Sequence, residues 1–273
     1  MRSPVRRSRI AVAALALGLI GGCSDASGPW RGPPGNGLLL GMADDNGGTQ
    51  LGIINEDGTG LRKLTRAPGG NAGARWSLDG RRIVFVSWRE DRVLGVSLMN
   101  PDGSGVRRIS DPTKPLTMGA PSWSPDGGRL VYACTIPDSP YGNLCSMSAT
   151  GTDYQTLLPL HWEAQSADWS PDGQRIVFSG TAPGDPSYRH LYVVDARGGV
   201  PVLLSPVKNT LHEMNPVWSP DGTRIAYSVG SPSFGPSVPQ DPLPGAYSVK
   251  LDGTDAQLIT RVGAVSSWIR QPR

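Results

Sequence analysis

Short apolar runs alternate with turn-forming residues along most of this chain, and their order repeats at a nearly constant interval. Each repeat opens with a Trp-Ser-Pro-Asp-Gly phrase, with Leu for Pro in the first, and successive tryptophans are 47, 46, 49 and 50 residues apart. A fixed period of this size predicts an array of similar units, none of which buries its apolar face alone. The tryptophans are Trp76, Trp123, Trp169, Trp218 and an isolated Trp268.

Each repeat contains four segments of strand length. The first ends at the tryptophan, and the Ser-Pro-Asp-Gly phrase after it suits a tight hairpin turn. The second starts at an arginine six residues after the tryptophan and is rich in β-branched and aromatic residues, as in residues 82–85. Two further short runs follow, for example 96–100 and 257–260. We name these predicted strands A, B, C and D, and four antiparallel strands per period are typical of a β-propeller blade.

The strand count predicts a closed ring. Residues 38–40 precede a C–D pair and therefore behave as a strand B without its strand A, whereas residues 265–269 stand alone in the position of a strand A. Pairing these two segments would complete five four-stranded blades and leave no open sheet edge. We therefore expect an all-β, five-bladed propeller over residues 38–270 that is closed by the C-terminal strand. The alternatives are a six-bladed or an incomplete ring.

The N-terminus has the pattern of an export signal. Residues 1–22 combine four arginines with an apolar run from Ile10 to Ile20, which is too short to span a bilayer. The segment Ile20-Gly21-Gly22-Cys23 resembles the lipobox of bacterial lipoproteins, so we expect Cys23 to carry a lipid and residues 23–37 to form a flexible tether. The alternatives are an ordinary signal peptide with an incidental cysteine and, from Arg6-Arg7, a twin-arginine signal.

This leader determines where we expect the protein to be located, and its arginines account for the positive net charge. An anchored chain with Ser24 rather than Asp after the cysteine is expected at the outer membrane of the cell envelope, facing the periplasm. The formal charge of +3 includes the four leader arginines, and without them 22 basic residues face 23 acidic ones. The sequence therefore gives no argument for a nucleic-acid partner.

The two remaining cysteines are candidates for a disulfide. Cys134 ends strand B of the third blade and Cys145 lies in its strand C, so a hairpin register could place them opposite each other. The oxidising environment outside the cytoplasm favours a bond, which would stabilise the fold by about 2–3 kcal/mol. Two buried reduced thiols are the alternative.

Connections of variable length fall on one face of the predicted ring, where B–C loops and D–A connections lie. The longest is residues 230–245, which carries five prolines. Counting back six residues from Trp169 and Trp218 reaches Glu163 and His212, which should therefore be neighbours near the channel mouth. A polar ligand or a cation could bind there, although tolerated insertions and a solvated polar rim explain the same residues. The candidate ligand-binding residues are His161, Trp162, Glu163, His212 and Glu213.

Patterns typical of catalysis are missing from the sequence. The chain has three histidines, no Gly-x-Ser-x-Gly elbow, no phosphate-binding glycine loop and no cysteine pair spaced for zinc. The repeated aspartate of the turn phrase is explained by turn geometry. We therefore expect neither a catalytic centre nor a metal or other cofactor.

The repeated phrase, continued by x-Arg-Ile/Leu-x-Phe/Tyr, resembles the WD-like repeat of the TolB propeller over residues 38–270. Related blades occur in prolyl oligopeptidase-type peptidases and in oligogalacturonate lyases. The resemblance implies a propeller fold and, in TolB itself, docking with the Tol-Pal envelope machinery. The chain departs from TolB in having five apparent blades rather than six, no N-terminal α/β domain and a lipobox-like leader.

Two functional hypotheses follow. The first is a monomeric, lipid-anchored, non-enzymatic envelope protein that binds a protein or peptide through the face with the long connections. The second is a carbohydrate-binding protein, or a polysaccharide lyase or hydrolase, that uses Glu163, His212 and aromatic residues such as Trp162 and Tyr188. Bound metal and activity on acidic polysaccharides would separate the two.

Overall fold

The computed structural model is all-β, and the part of the chain that it describes contains no helix. The described residues are 10–13, 38–43, 48–55, 59–66, 69–88, 94–111, 120–136, 142–185, 188–204, 212–230, 245–261 and 264–268. No helix long and apolar enough to cross a bilayer occurs among them. The expected tether with Cys23, and the leader apart from residues 10–13, lie outside the described residues, as do residues 231–244 of the proline-rich connection.

Strands account for most of the described residues. In chain order they are β1 (Ile10–Ala13), β2 (Leu38–Ala43), β3 (Thr49–Ile54), β4 (Arg62–Lys63), β5 (Asn71–Trp76), β6 (Ile83–Trp88), β7 (Leu94–Met99), β8 (Arg107–Arg108), β9 (Ser122–Trp123), β10 (Arg129–Thr135), β11 (Gly142–Ser148), β12 (Gln155–Thr156), β13 (Glu163–Trp169), β14 (Arg175–Thr181), β15 (His190–Asp195), β16 (Val202–Leu203), β17 (His212–Trp218), β18 (Arg224–Gly230), β19 (Gly245–Lys250), β20 (Gln257–Thr260) and β21 (Ala264–Trp268).

The expected five-bladed propeller is confirmed. Strands β5–β8, β9–β12, β13–β16 and β17–β20 form four antiparallel sheets in A-B-C-D order, and β2, β3 and β4 form the sheet of the first blade. Neighbouring blades touch through their A strands, as β13 and β17 do. The core consists of separate apolar clusters between blades, because the two faces of each sheet pack against different neighbours.

Hydrogen bonds within the repeated turn explain its sequence. In the third blade the Ser124 hydroxyl donates to the Asp126 carboxylate over 2.6 Å, and the backbone N–H of Gly127 donates to the Ser124 carbonyl over 2.9 Å. Gly127 has a φ of 68°, a left-handed conformation that glycine adopts without steric cost. The phrase is therefore a structural device, as the sequence predicts.

The repeated arginine and tryptophan act between blades. The Arg82 guanidinium of the second blade lies 4.6 Å from the ring centroid of Trp123 in the third, and Arg175 lies 5.2 Å from that of Trp218 in the fifth. A cation over an indole face is stabilising, and both tryptophans are buried. These contacts link the second blade to the third and the fourth to the fifth, and they favour a ring over isolated blades.

The C-terminal strand departs from its expected pairing. β21 lies beside β17, where the A strand of the first blade belongs, but it pairs with β1 of the leader and not with β2. The sheet of the first blade therefore has three strands. A free strand edge can pair with any extended segment that reaches it. Here the segment is β1 of the apolar leader, which pairs with β21 in the place predicted for β2. This corrects the predicted pairing partner of the C-terminal strand, which is β1 and not β2.

The predicted disulfide between Cys134 and Cys145 is present, with Cα atoms 5.8 Å apart. Its register differs from the simple expectation, because Cys145 faces Tyr132 and Cys134 faces Asn143. The cysteines are thus diagonal neighbours on one face of the β10–β11 pair. Both are buried in the cluster between the second and third blades.

One carboxylate on the channel side of the A strands connects four blades. Asp168 Oδ1 accepts a hydrogen bond from the Ser122 hydroxyl at 2.6 Å and lies 3.5 Å from an Arg75 nitrogen, and its Oδ2 accepts one from the backbone N–H of Trp218 at 2.9 Å. Burial raises the pKa of Asp168 above its ordinary value, although these partners oppose the shift. Asp168 therefore cross-links the second, third, fourth and fifth blades, a feature that the sequence analysis missed.

The turn aspartates predict how acid affects stability. The neighbouring serine hydroxyl and a backbone N–H lower the pKa of each below its ordinary 3.8. A lowered pKa in the folded state adds stability that is present above pH 3.8 and is lost as the pH falls below it. We expect Asn at Asp79, Asp126, Asp172 and Asp221 together to flatten the acid limb of the melting temperature against pH. An unchanged acid limb would contradict this account.

Candidate functional site

The B–C loops and D–A connections form one face of the propeller, which we call the loop face. The A–B and C–D turns form the opposite turn face. On the loop face β13 begins at Glu163, β15 at His190 and β17 at His212. Glu163 pairs with Thr181 and His212 with Gly230, the last residues of their B strands. The starts of the fourth and fifth blades therefore project side chains toward the same region.

Arg189 joins the two residues that the sequence placed together. Its Nη2 donates to Glu163 Oε1 over 3.1 Å, and its backbone N–H donates to His212 Nδ1 over the same distance. Gln165 also donates to Glu163 Oε1, at 3.3 Å. Glu163 and His212 are thus bridged by a cation from the B–C loop of the fourth blade.

His212 is held in one tautomer by this arrangement. Because Nδ1 accepts the Arg189 N–H, neutral His212 carries its proton on Nε2. Burial and the nearby Arg189 lower the pKa of His212, against the opposing effect of Glu163. At neutral pH the ring is therefore uncharged and offers a ligand an N–H donor.

A second histidine and carboxylate lie beneath the surface. Glu213 is fully buried, and its Oε2 accepts the backbone N–H of Leu191 at 3.2 Å and lies 3.7 Å from His190 Nδ1. The Glu213 carboxylate raises the pKa of His190, and burial opposes this shift. Glu213 therefore stabilises the contact between the fourth and fifth blades from below and does not lie on the rim.

Aromatic side chains surround this polar group. Trp162 packs edge-on against Tyr192, with ring centroids 4.9 Å apart, and belongs to the cluster around Phe178. The Tyr188 ring lies 5.8 Å from that of His212 in a tilted arrangement. Tyr188 is therefore the aromatic ring that accompanies the polar bridge, whereas Trp162 is half-buried against the core.

The remaining candidate is His161, an exposed residue with a φ of 69° in the turn before β13. This left-handed conformation is uncommon for residues other than glycine. The structure gives His161 no hydrogen bond to Glu163 or His212. Of the five predicted residues, Glu163 and His212 are brought together, Glu213 lies beneath them, and Trp162 and His161 flank them.

Sequence reasoning missed Arg189, which forms the bridge, and His190, which lies against Glu213. Both lie at the end of a B–C loop, where the repeats do not align, so counting from the tryptophans does not reach them. The signal that could have found them is the run Tyr188-Arg189-His190, which places an aromatic, a cationic and a titratable side chain directly before strand C.

The group is better suited to an organic ligand than to a metal ion. Within the described ranges there is no cluster of three His, Cys, Asp or Glu side chains that could hold a metal. The Glu163 carboxylate is already bound by Arg189, which would compete with a cation for it.

Solved structures share this architecture. A putative TolB from Agrobacterium tumefaciens superposes with a TM-score of 0.68 at 18% identity, covering 85% of this chain and 81% of that one. The chain has the fold of a TolB-like β-propeller. TolB from Acinetobacter baumannii superposes with a TM-score of 0.61 at 19% identity, covering 78% of this chain and 49% of the A. baumannii chain. No protein-family model matches the sequence.

Other similar proteins carry enzyme names. An oligogalacturonate lyase in complex with manganese superposes on the TolB-like propeller with a TM-score of 0.58 at 15% identity, covering 83% of this chain and 62% of the lyase. Dipeptidyl-peptidase 5 of Porphyromonas endodontalis is 33% identical over 98 residues, which are 36% of this chain and 14% of the peptidase. The chain thus spans a small part of that relative and about half of the A. baumannii TolB.

Proposed function

We propose that the chain is a lipid-anchored, non-enzymatic protein of the cell envelope that binds a protein or peptide on its loop face. The observation that carries this proposal is the Glu163–Arg189–His212 bridge with Tyr188 beside it. It combines an acceptor, a cation, an N–H donor and an aromatic ring across two blades. Tyrosine and arginine are enriched among the residues that contribute most to protein–protein affinity.

The leader supports the envelope part of the proposal. The basic start, the short apolar run and the lipobox-like ending at Cys23 together fit export and lipidation. The disulfide between Cys134 and Cys145 fits an oxidising compartment. Mass spectrometry of the protein purified from membranes tests the anchor: we expect an acylated Cys23 as the first residue, and an unmodified cysteine would contradict the anchor.

We expect loss of the bridge to reduce partner capture. The double variant Arg189→Ala, His212→Ala removes the cation and the N–H donor, and capture of an envelope protein from a detergent extract should fall at least about tenfold, as for a binding hot spot. The matched control is Leu78→Ala, Arg81→Ala, two exposed side chains on the turn face. Melting curves of both variants must show an intact fold. Loss of capture in the control alone would mean that the turn face binds.

A second candidate function is carbohydrate binding or cleavage, which the structural similarity to the oligogalacturonate lyase favours. Polar donors beside the Tyr188 ring suit a sugar as well as a peptide. Incubation with polygalacturonate and elemental analysis for manganese test this alternative. Release of unsaturated products together with bound metal would favour the lyase and would contradict a non-enzymatic scaffold.

A further inference from the structure

The outer edge strands of the five blades differ sharply in charge. In each blade the outer edge strand is strand D, and two consecutive residues of it pair with strand C. These two positions can be aligned between blades, because the first of the two faces the equivalent residue of strand C in every blade. Consecutive basic residues fill both positions in the first and second blades, and neutral residues fill both in the others. The pairs are Arg62-Lys63, Arg107-Arg108, Gln155-Thr156, Val202-Leu203 and Gln257-Leu258.

A second position shows the same division. Two residues before the edge pair, the third and fifth blades carry Asp153 and Asp255 in the left-handed conformation, and each pairs with an arginine of its own blade. The first and second blades have Gly60 and Gly105 there, with φ values of 67° and 64°. The backbone is the same and the carboxylate is missing, so the first two blades lack this acidic neighbour.

Exposed cations of these two blades lie on neighbouring outer edges. Lys63, Arg66 and Arg107 are exposed, and none forms an ion pair with a described residue. An Arg62 Nη atom donates to the carbonyl of Pro101 over 3.4 Å, so the edge of the first blade touches the second. Asp102 in that turn accepts bonds from Ser104, and these bonds and the nearby Arg62 lower the pKa of Asp102, so Arg62 has one acidic neighbour. We call Arg62, Lys63, Arg66, Arg107 and Arg108 the basic rim.

We propose that the basic rim binds the anionic headgroups of a lipid bilayer. Long cationic side chains spread along an outer edge match a surface of many phosphates better than a single buried anion. Each Lys or Arg near such a surface strengthens binding about fivefold. The orientation rests on the proposed anchor: a tether of about 15 residues between Cys23 and β2 has an average reach of about 20 Å, which would hold the first blade near the membrane.

Vesicle binding tests the proposal independently of the anchor. The reference is the full chain with Cys23→Ala and Gln in place of the four leader arginines, so that neither the lipid nor the leader charges contribute, and the apolar run of the leader is the same in every variant. The rim variant adds Lys63→Gln, Arg66→Gln and Arg107→Gln; glutamine is what the third and fifth blades carry at the position of Arg107. The control instead adds Arg197→Gln, Lys250→Gln and Arg261→Gln, which remove three exposed charges from the fourth and fifth blades.

We expect the reference to bind vesicles of phosphatidylglycerol and phosphatidylcholine, and not phosphatidylcholine alone. The rim variant should bind about a hundredfold more weakly, and the control within about fivefold of the reference. Equal losses in both variants would overturn the proposal, as would binding to soluble dextran sulfate without binding to vesicles. An unacylated Cys23 in the wild-type protein would contradict only the anchor, so the two failures are distinguishable.

Discussion

Replacing Asp168 by alanine is expected to lower the free energy of unfolding by about 3 kcal/mol, which corresponds to a fall of about 6–12 °C in melting temperature. The change leaves the Arg75 guanidinium and the backbone N–H of Trp218 without the carboxylate that binds them in the wild type. We take the lower end of the range for a broken buried ion pair because both side chains keep 16–17% of their surface exposed. Thermal unfolding followed by circular dichroism measures this effect.

Two further variants make the test specific. Asp195→Ala removes an exposed aspartate from the same blade that accepts one hydrogen bond, from the backbone N–H of Arg197, and should change stability by about 1 kcal/mol or less. Asp168→Asn removes the charge and keeps the shape. Because burial raises the pKa of Asp168, its ionisation opposes folding, so the stability gap between wild type and Asp168→Asn should narrow as the pH rises above 4. A gap that widens with pH would contradict this assignment.

Deletion of residues 264–273 is expected to lower the melting temperature by more than about 4 °C, which corresponds to about 1–2 kcal/mol of unfolding free energy. It removes strand β21 from its place beside β17 and leaves strand edges open. Deletion of residues 269–273 alone is the control and should leave the melting temperature unchanged within about 2 °C.

A third variant in the same experiment lacks the leader, residues 1–22. In the full chain β1 pairs with β21, so removal of residues 1–22 frees the edge of β21 to pair with β2. We therefore expect leader removal to leave stability unchanged or to raise it. If leader removal destabilises the protein as much as the C-terminal deletion does, pairing with β1, and not contact with β17, holds the C-terminal strand in place.

The fold was predictable because its signals are local and repeated. The spacing of Trp76, Trp123, Trp169 and Trp218 gives the number of blades, and the turn phrase gives the hairpin between strands A and B. Counting back from two tryptophans was sufficient to bring Glu163 and His212 together, since equivalent positions of neighbouring A strands are adjacent in a ring.

What the sequence did not reveal are contacts between positions that no repeat aligns. Arg189 reaches Glu163 and His212 from a loop whose length is unique to the fourth blade. Asp168 stands directly before a tryptophan, but its role becomes visible only when the ring places Arg75 and Ser122 around it. β21 pairs with β1 and not with β2, a choice between two strands that a strand count cannot resolve.

Overall charge also concealed a local feature. Basic and acidic residues nearly balance once the leader arginines are set aside, and this balance argued against a basic surface. The structure separates the charges: Arg129 and Arg224 of the third and fifth blades pair with Asp153 and Asp255, whereas Lys63 and Arg107 form no ion pair with a described residue. Alignment of the edge strands would have shown this from the sequence.

Site-specific photo-cross-linking in cells tests the central claim that the loop face binds the partner. A photoreactive phenylalanine derivative is introduced in place of Tyr188, beside His212 on the loop face, or in place of Leu78, which is exposed on the turn face. We predict an adduct with an envelope protein from position 188, lost when Arg189→Ala and His212→Ala are added, and none from position 78. Adducts from position 78 alone would contradict the account.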